Sequence, residues 1–225
     1  MVNFSTAGLY TLSDAGRLLH VTPGTVKRWS FGYSRRGVGY EPPIATEVPP
    51  RNGVRVLTFL ELVELMFIRG FLEAGVSWNK VRKAALTAAR LLHDERHPFA
   101  MKKWFVDPAG IYLKLGREFD EEILVEVAGD AQVAIEAALQ PYLHQLEFDV
   151  SGLAQRWYPL GFGRPIVLDP RRAVGAPIVE SGGVRTDLIA EMHSAGDTVS
   201  QIAAWYDLEE FEVAAALEFE QAVAR

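Results

Sequence analysis

The sequence predicts an α+β, mostly helical protein. It has a winged helix-turn-helix at its N-terminal end, a central β-containing region, and a small helical, helix-turn-helix-like domain at its C-terminal end. Three observations carry that expectation. "YTLSDAGRLLHVTPGTVKRWSFGY" (Tyr10–Tyr33) reads as two short helices with their apolar residues on one face. "TVSQIAAWYDLEEFEVAAALEFE" (Thr198–Glu220) repeats that layout at a constant offset of 187 residues. Between them, runs such as "ILVEV" and "RPIVLD" read as strands.

The chain's 225 residues suit two or three small domains, and the expected divisions are 1–58, 59–98, 99–170 and 171–225. Apolar residues make up 49% and charged ones 23%, ordinary for a globular protein with a real core. With no cysteine, disulfides and thiolate-based zinc or redox chemistry are excluded. No run of 18 apolar residues occurs and "MVNFSTAGLY" lacks a signal-peptide pattern, so a cytoplasmic protein without a membrane span is expected. The net charge of −6 hides a split: residues 1–117 carry 17 Lys/Arg against 9 Asp/Glu (+8), and residues 118–225 carry 6 against 20 (−14). Such asymmetry suits a nucleic-acid-facing half joined to a half with another task, unless the charges are only clustered solvated side chains.

In chain order, Leu12, Ala15, Leu18 and Leu19 form one apolar helical face. Thr22 is a suitable N-cap, Pro23 is tolerated in the first turn, and Val26 and Trp29 give the second helix its inward stripe. "SRRGVGYEPPIATEVPPRNGVRVLTF" carries four prolines and four arginines, and its Asn-Gly pair followed by alternation predicts a basic β-hairpin, the wing. Phe59–Leu72 is apolar at ten of fourteen positions, a pattern expected of a helix buried on several sides, and it is the candidate for pairing two subunits. The stretch 77–97 is amphipathic with a basic face (Lys80, Arg82, Lys83, Arg90) and ends at Pro98. Residues 99–170 are expected to be β-rich, with a hairpin around Asp107–Gly110 and one interrupting helix that breaks near Pro141. Gly and Pro between Gly161 and Gly183 mark a connector to the last helices.

Overlaying the two helix-turn-helix segments puts Leu12 on Val199, Ala15 on Ile202, Leu18 on Trp205, Leu19 on Tyr206, Val21 on Leu208 and Val26 on Val213. All these inward positions stay apolar, while the outward ones differ. In the first copy Thr22, Thr25, Lys27 and Arg28 suit phosphates and base edges, supported by Arg35, Arg36, Arg51 and Arg55 on the wing. The counterparts of Thr25, Lys27 and Arg28 are Glu212, Ala214 and Ala215. From Asp187 to Arg225 there are nine acidic residues and one basic, which repels a phosphate backbone. Glu209, Glu210 and Glu212 are therefore the candidate contacts to a protein partner, with a solvated structural bundle as the alternative.

"HDERH" (His93–His97) resembles the zinc-protease pattern, but Asp94 holds the general-base position and the segment sits at a helix end. "GFGRP" (Gly161–Pro165) lacks the strand and helix of a phosphate loop and reads as a turn. No nucleophile–base spacing stands out, so no catalytic residues, metal or cofactor are expected. The middle aromatics Trp104, Phe105, Tyr112, Trp157 and Tyr158 would line a small-molecule pocket or, more ordinarily, a core.

"YTLSDAGRLLHVTPGTVKRW" resembles the MerR-like winged helix-turn-helix. The last fifty or so residues are similar to a bacterial C-terminal domain of formerly unknown function. Its pattern falls on Gly175, Pro177, Gly183, Thr186, Gly196, Asp197, Ile202, Ala203, Tyr206, Leu208, Val213, Ala216 and Leu217. With "RWYPLGFGRPIVLDPRR" between them, the two segments resemble VapB-type antitoxins with a MerR-like N-terminal domain. That resemblance implies a type II toxin–antitoxin pair: an antitoxin, not an enzyme, that binds operator DNA, represses its own transcription, and neutralises a PIN-domain ribonuclease toxin. A homodimer is expected because paired winged domains would meet two half-sites on one DNA face. The acidic C-terminal end departs from the small VapB proteins, whose flexible tails often place a basic residue in the toxin's site. The competing expectation is a MerR-like transcriptional regulator whose middle region responds to a small molecule.

Overall fold

The computed structural model describes residues 7–35, 37–42, 46–50, 52–73, 75–82, 85, 96–102, 142 and 144–224. It is a mixed α+β structure, mainly helical, with small two-stranded antiparallel sheets. β1 (Tyr10–Thr11) leads into α1 (Leu12–Leu18), and α2 (Pro23–Phe31) follows after a short turn. Thr11 opens α1 through a capping box with Asp14, and Thr22 caps α2 by accepting from the Thr25 backbone N at 3.1 Å. Proline at the first position of α2 forfeits no helical hydrogen bond.

Among the described residues one two-stranded ribbon lies ahead of the Asn-Gly turn. β2 (Tyr33–Arg35) pairs with β3 (Val38–Tyr40), and Gly37 turns the chain with φ 79°. Asn52 and Gly53 do turn, with φ of 49° and 78°. But β4 (Val56–Leu57) then pairs back with β1, Leu57 opposite Tyr10. Both of those side chains are buried, so the core rather than the local turn decides the partner of this strand.

α3 (Phe59–Glu73) is the axis of the core: Phe59, Leu62, Val63, Leu65, Met66, Phe67, Ile68 and Phe71 are all buried within the one chain. A fully buried side chain of this kind contributes about 1.5–3 kcal/mol. The apolar surface of α3 is thus consumed inside the protomer, and a subunit contact needs a different face. α3 packs on α2 and on the short 3-10 turn Pro98–Ala100, and the Phe67, Phe71 and Phe99 rings meet at centroid separations of 5.4–6.5 Å.

β5 (Leu146–Phe148) pairs with β6 (Ala154–Trp157), and β7 (Ile166–Val167) with β8 (Ile178–Val179). "RPIVLD" is therefore strand-bearing, and "GFGRP" is a turn in which Gly161 and Gly163 take φ of 91° and 81°. The expected hairpin at Asp107–Gly110, "ILVEV" and most of the interrupting helix lie outside the described residues. Three helices close the chain: α4 (Thr186–Ser194), α5 (Val199–Tyr206) and α6 (Glu210–Val223). One continuous core runs from α1–α2 through α3 to α5–α6.

The segment before α1 is tied directly to the segment before β8. Leu9 N donates to Val174 O at 2.9 Å, and the Tyr10 hydroxyl donates to Gly175 O at 2.8 Å. Gly175 has φ 87°, and a Cβ there would lie 2.6 Å from the Tyr10 hydroxyl, so both conformation and space demand glycine.

Candidate nucleic-acid and protein interfaces

The 187-residue offset read from sequence survives in backbone detail. Thr11 and Thr198 are N-caps with capping boxes, to Asp14 and Gln201 respectively. The turns pass through left-handed residues at equivalent places, His20 (φ 50°) and Asp207 (φ 52°). The second helices begin at Pro23 and at Glu210, and Ala15, Ile202, Val26 and Val213 are all fully buried.

One inward position breaks the equivalence. Leu18 is 4% exposed, whereas its counterpart Trp205 is 59% exposed. Around the first copy, α3 packs on α2, and the Arg69 guanidinium donates to the Leu19 carbonyl at 2.7 Å. The C-terminal copy is braced instead by α4, which lies mainly against α6. Trp205 faces solvent, a correction to its inward assignment. Phe211, in the place of Gly24, is also out, at 64% exposed.

The N-terminal face is cationic and locally ordered. Lys27 and Arg28 are exposed, and no carboxylate among the described residues bridges either of them. The Thr22 and Thr25 hydroxyls are 3.0 Å apart, and Arg28 donates to the Thr25 hydroxyl at 3.1 Å. Thr22, Thr25 and Arg28 thus form one chain of hydrogen bonds at the start of α2, which restrains the Arg28 guanidinium on that face. Arg35 ends β2, while Arg36 and Arg51 lie outside the described residues. The Arg55 guanidinium sits 4.6 Å from the centre of the Phe31 ring, which holds its charge at the C-terminal end of α2. Trp29 stacks on Trp78 at 6.4 Å, fixing the inner side of α2. Elsewhere in this half, Arg17, Arg69 and Arg82 pair with Glu220, Glu73 and Glu41.

The acidic residues of the C-terminal copy divide by role. Glu209 and Glu210 are exposed at the start of α6, and Glu210 accepts from the Ser200 hydroxyl at 2.5 Å. Glu212, expected beside them, is only 8% exposed. Its carboxylate accepts from the Ser181 hydroxyl at 2.6 Å and from the Glu209 backbone N at 2.9 Å. It closes the first turn of its own helix, the duty of an acid three residues past an N-cap. Glu220 was not singled out from sequence, yet it accepts from both Arg17 on α1 and the buried Thr186 at the start of α4. That one carboxylate pins the two helix-turn-helix units together. An acid on an acidic helix gives no sequence signal for such a role.

The histidine motif resolves into structure. His93 lies outside the described residues, and His97 is buried with its Nδ1 3.1 Å from Glu64 and its Nε2 facing Glu47 at 3.2 Å, an ion pair without hydrogen-bond alignment. Desolvation alone would lower the His97 pKa, but the Glu64 and Glu47 carboxylates outweigh it and hold it at about 9. Burial pushes the Glu61 carboxyl up to about 7, although it accepts from the Thr58 and Glu47 backbone N atoms, and burial raises Glu64 as well. Trp157 and Tyr158 are both buried and bonded, to Gln145 and Glu180 respectively, so they serve the core; Trp104, Phe105 and Tyr112 lie outside the described residues. Among the described residues no group of three or more His, Asp or Glu is placed to hold a metal ion, and no helix is long and apolar enough to cross a membrane.

Comparison with known proteins matches two separate segments of the chain. Residues 8–85 match the family described as "Putative DNA-binding HTH domain". That span runs through α3, which packs on α2. Residues 166–219 match the family described as "Protein of unknown function (DUF433)". Over 208 residues the chain is 27% identical to "Putative antitoxin VapB45" of Mycobacterium tuberculosis, covering 87% of this chain and 86% of that protein. It is 25% identical over 205 residues to "Uncharacterized protein Rv2308" of the same organism, covering 89% of this chain and 84% of that protein. The crystal structure of Rv2018 from M. tuberculosis superposes with a TM-score of 0.72 at 25% identity, covering 92% of this chain and 96% of that one. The chain is thus similar over most of its length to a mycobacterial protein named as an antitoxin, and it joins a helix-turn-helix segment of DNA-binding type to a DUF433 segment.

Proposed function

We propose that the protein is the antitoxin of a bacterial type II toxin–antitoxin pair. It would bind its operator as a homodimer through a MerR-like winged helix-turn-helix, repress its own transcription, and neutralise a PIN-domain ribonuclease through its acidic C-terminal half. The observation that carries this reading is one scaffold used twice with opposite outer faces. The first presents Thr22, Thr25, Lys27 and Arg28 on α2, and the second presents Glu209, Glu210 and Phe211 on α6. Phosphate neutralisation supplies most DNA affinity, so α2 suits DNA and α6 does not. Arg35, Arg36, Arg51 and Arg55 extend the positive surface in this reading, and paired winged units would meet two half-sites on one DNA face. The similarity to a protein named as an antitoxin, over 87% of this chain, points the same way.

Two measurements test the proposal. A gel-shift titration with the DNA upstream of the protein's own gene is expected to show specific binding that weakens steeply with salt. Co-expression with the product of the adjacent reading frame is expected to yield a complex in which that product's ribonuclease activity is suppressed. Binding to upstream DNA without such a partner would move the protein to the regulator class.

A further inference from the structure

The C-terminal helix-turn-helix keeps an apolar surface uncovered. Trp205 in the last turn of α5 and Phe211 in the first turn of α6 are 59% and 64% exposed, on either side of the turn through Asp207. Ala214, one turn beyond Phe211, is exposed too. At the equivalent places in the N-terminal copy stand buried Leu18 and a glycine, Gly24, so the scaffold itself requires neither aromatic outside. Large rigid aromatics exposed singly are common, but two flanking one turn supply side chains of the kind that dominates protein interfaces.

The charge around this turn is one-sided. Asp207, Glu209 and Glu210 are exposed, and none is ion-paired among the described residues. By contrast the exposed Glu41, Glu73 and Glu218 each hold an arginine. No Lys or Arg occurs between Arg185 and Arg225. Carboxylates without a cationic partner, on the same turn as exposed aromatics, attract cations by direct pairing, and the rings add the attraction of their quadrupoles. Nucleic acid is repelled by the same charges.

We propose that the α5–α6 turn is a docking surface for a cationic amphipathic segment of a partner protein. Aliphatic side chains of that segment pack on Trp205 and Phe211, and its Arg or Lys residues pair with Asp207, Glu209 and Glu210. The proposal rests on the reading that the acidic half binds protein, and it names the surface and the chemistry of what binds. Glu212 takes no part, since its carboxylate is bonded inside the chain.

The test uses the full-length protein and two labelled synthetic peptides, one of alternating Arg and Leu at helical spacing and one with Glu in place of Arg. Fluorescence anisotropy at 150 mM salt is expected to show the Arg/Leu peptide binding at least tenfold more tightly than the Glu/Leu peptide. Trp205→Ala with Phe211→Ala is expected to weaken that binding at least tenfold, and Glu209→Lys with Glu210→Lys to weaken it comparably. Trp205 and Phe211 are exposed, so an unaltered melting temperature is expected for the aromatic double variant. The Lys double variant loses the Glu209 capping box and the Ser200–Glu210 bond and is expected to melt a few degrees lower, with the operator shift kept in both. Equal peptide affinity for wild type and the aromatic double variant overturns the proposal, as does failure of the Arg/Leu peptide to bind. Those outcomes leave the antitoxin reading standing if the adjacent gene product still co-purifies. Loss of co-purification with peptide binding intact and dependent on Trp205 defeats the antitoxin reading and keeps the surface.

Discussion

The two helix-turn-helix units share caps, a left-handed turn residue and a buried stripe, yet their outer faces share nothing. The first turns Lys27 and Arg28 outward, and the second turns Glu209, Glu210, Trp205 and Phe211 outward. The comparison separates what makes a helix-turn-helix from what makes a DNA reader. The scaffold needs a cap at each helix start, a residue tolerant of positive φ in the turn, and small or branched apolar residues where the helices cross. The ligand is chosen by the solvent-facing positions alone, chiefly through the sign of their charge.

Stability separates the copies most strongly. Leu18→Ala empties a buried site and is expected to cost about 2–5 kcal/mol. Trp205→Ala at the equivalent exposed place is expected to change stability by less than about 0.5 kcal/mol. Urea unfolding of the two variants checks this contrast, and similar losses in both would mean that Trp205 is covered after all. Next comes the joint between the copies. Glu220→Ala leaves Arg17 without its carboxylate and the buried Thr186 hydroxyl with only the 3.4 Å contact to Pro177 O, an expected loss of about 1–3 kcal/mol by calorimetry. Glu210→Ala on the same helix is expected to be nearly neutral.

At the proposed DNA face, Lys27→Ala or Arg28→Ala is expected to weaken operator binding severalfold or more. Each should also make the slope of log affinity against log salt shallower by about one, as one phosphate contact is lost. Unchanged binding in a gel-shift titration removes α2 from the DNA surface.

The smallest expected effect is on pH dependence, and its sign is fixed by the buried carboxylate–histidine cluster. Burial raises Glu61 to about 7, and the Glu64 and Glu47 carboxylates raise His97 to about 9. Both folded-state values lie above the unfolded ones, so the native state binds more protons in between. Their stabilising contribution is complete below the unfolded pKa values of about 4.5 and 6.5. It is lost as pH rises through about 7 and then about 9. The melting temperature is expected to fall from pH 5 to pH 9, and His97→Gln to flatten the upper part of that fall. A melting temperature that rises across this range would contradict the ion pairing of His97 with Glu64 and Glu47.

Much of the fold was legible because it depends on local chemistry. The two helices between Leu12 and Phe31, the Thr22 cap with Pro23 after it, the encircling apolarity of Phe59–Leu72, and the repeat at residue 198 all follow from periodicity and capping. The misreadings share one cause. The pairing of Val56–Leu57 with Tyr10–Thr11, the exposure of Trp205 and the inward turn of Glu212 each depend on which distant element lies alongside. The same limit hid Glu220, whose partners are 203 and 34 residues away.

By itself the sequence determined the helical units, their internal repeat and the sign of charge each carries, because caps, turns and periodicity act over a few residues and formal charge needs no fold. Only the tertiary structure decided which carboxylates are bonded inside the chain and which stay open, and which aromatic of the repeat is covered. Those outcomes depend on burial, and burial is set by neighbours: α3 packs on α2 and holds the Leu19 carbonyl, while α4 packs on α5 and α6 and Trp205 stays exposed to solvent.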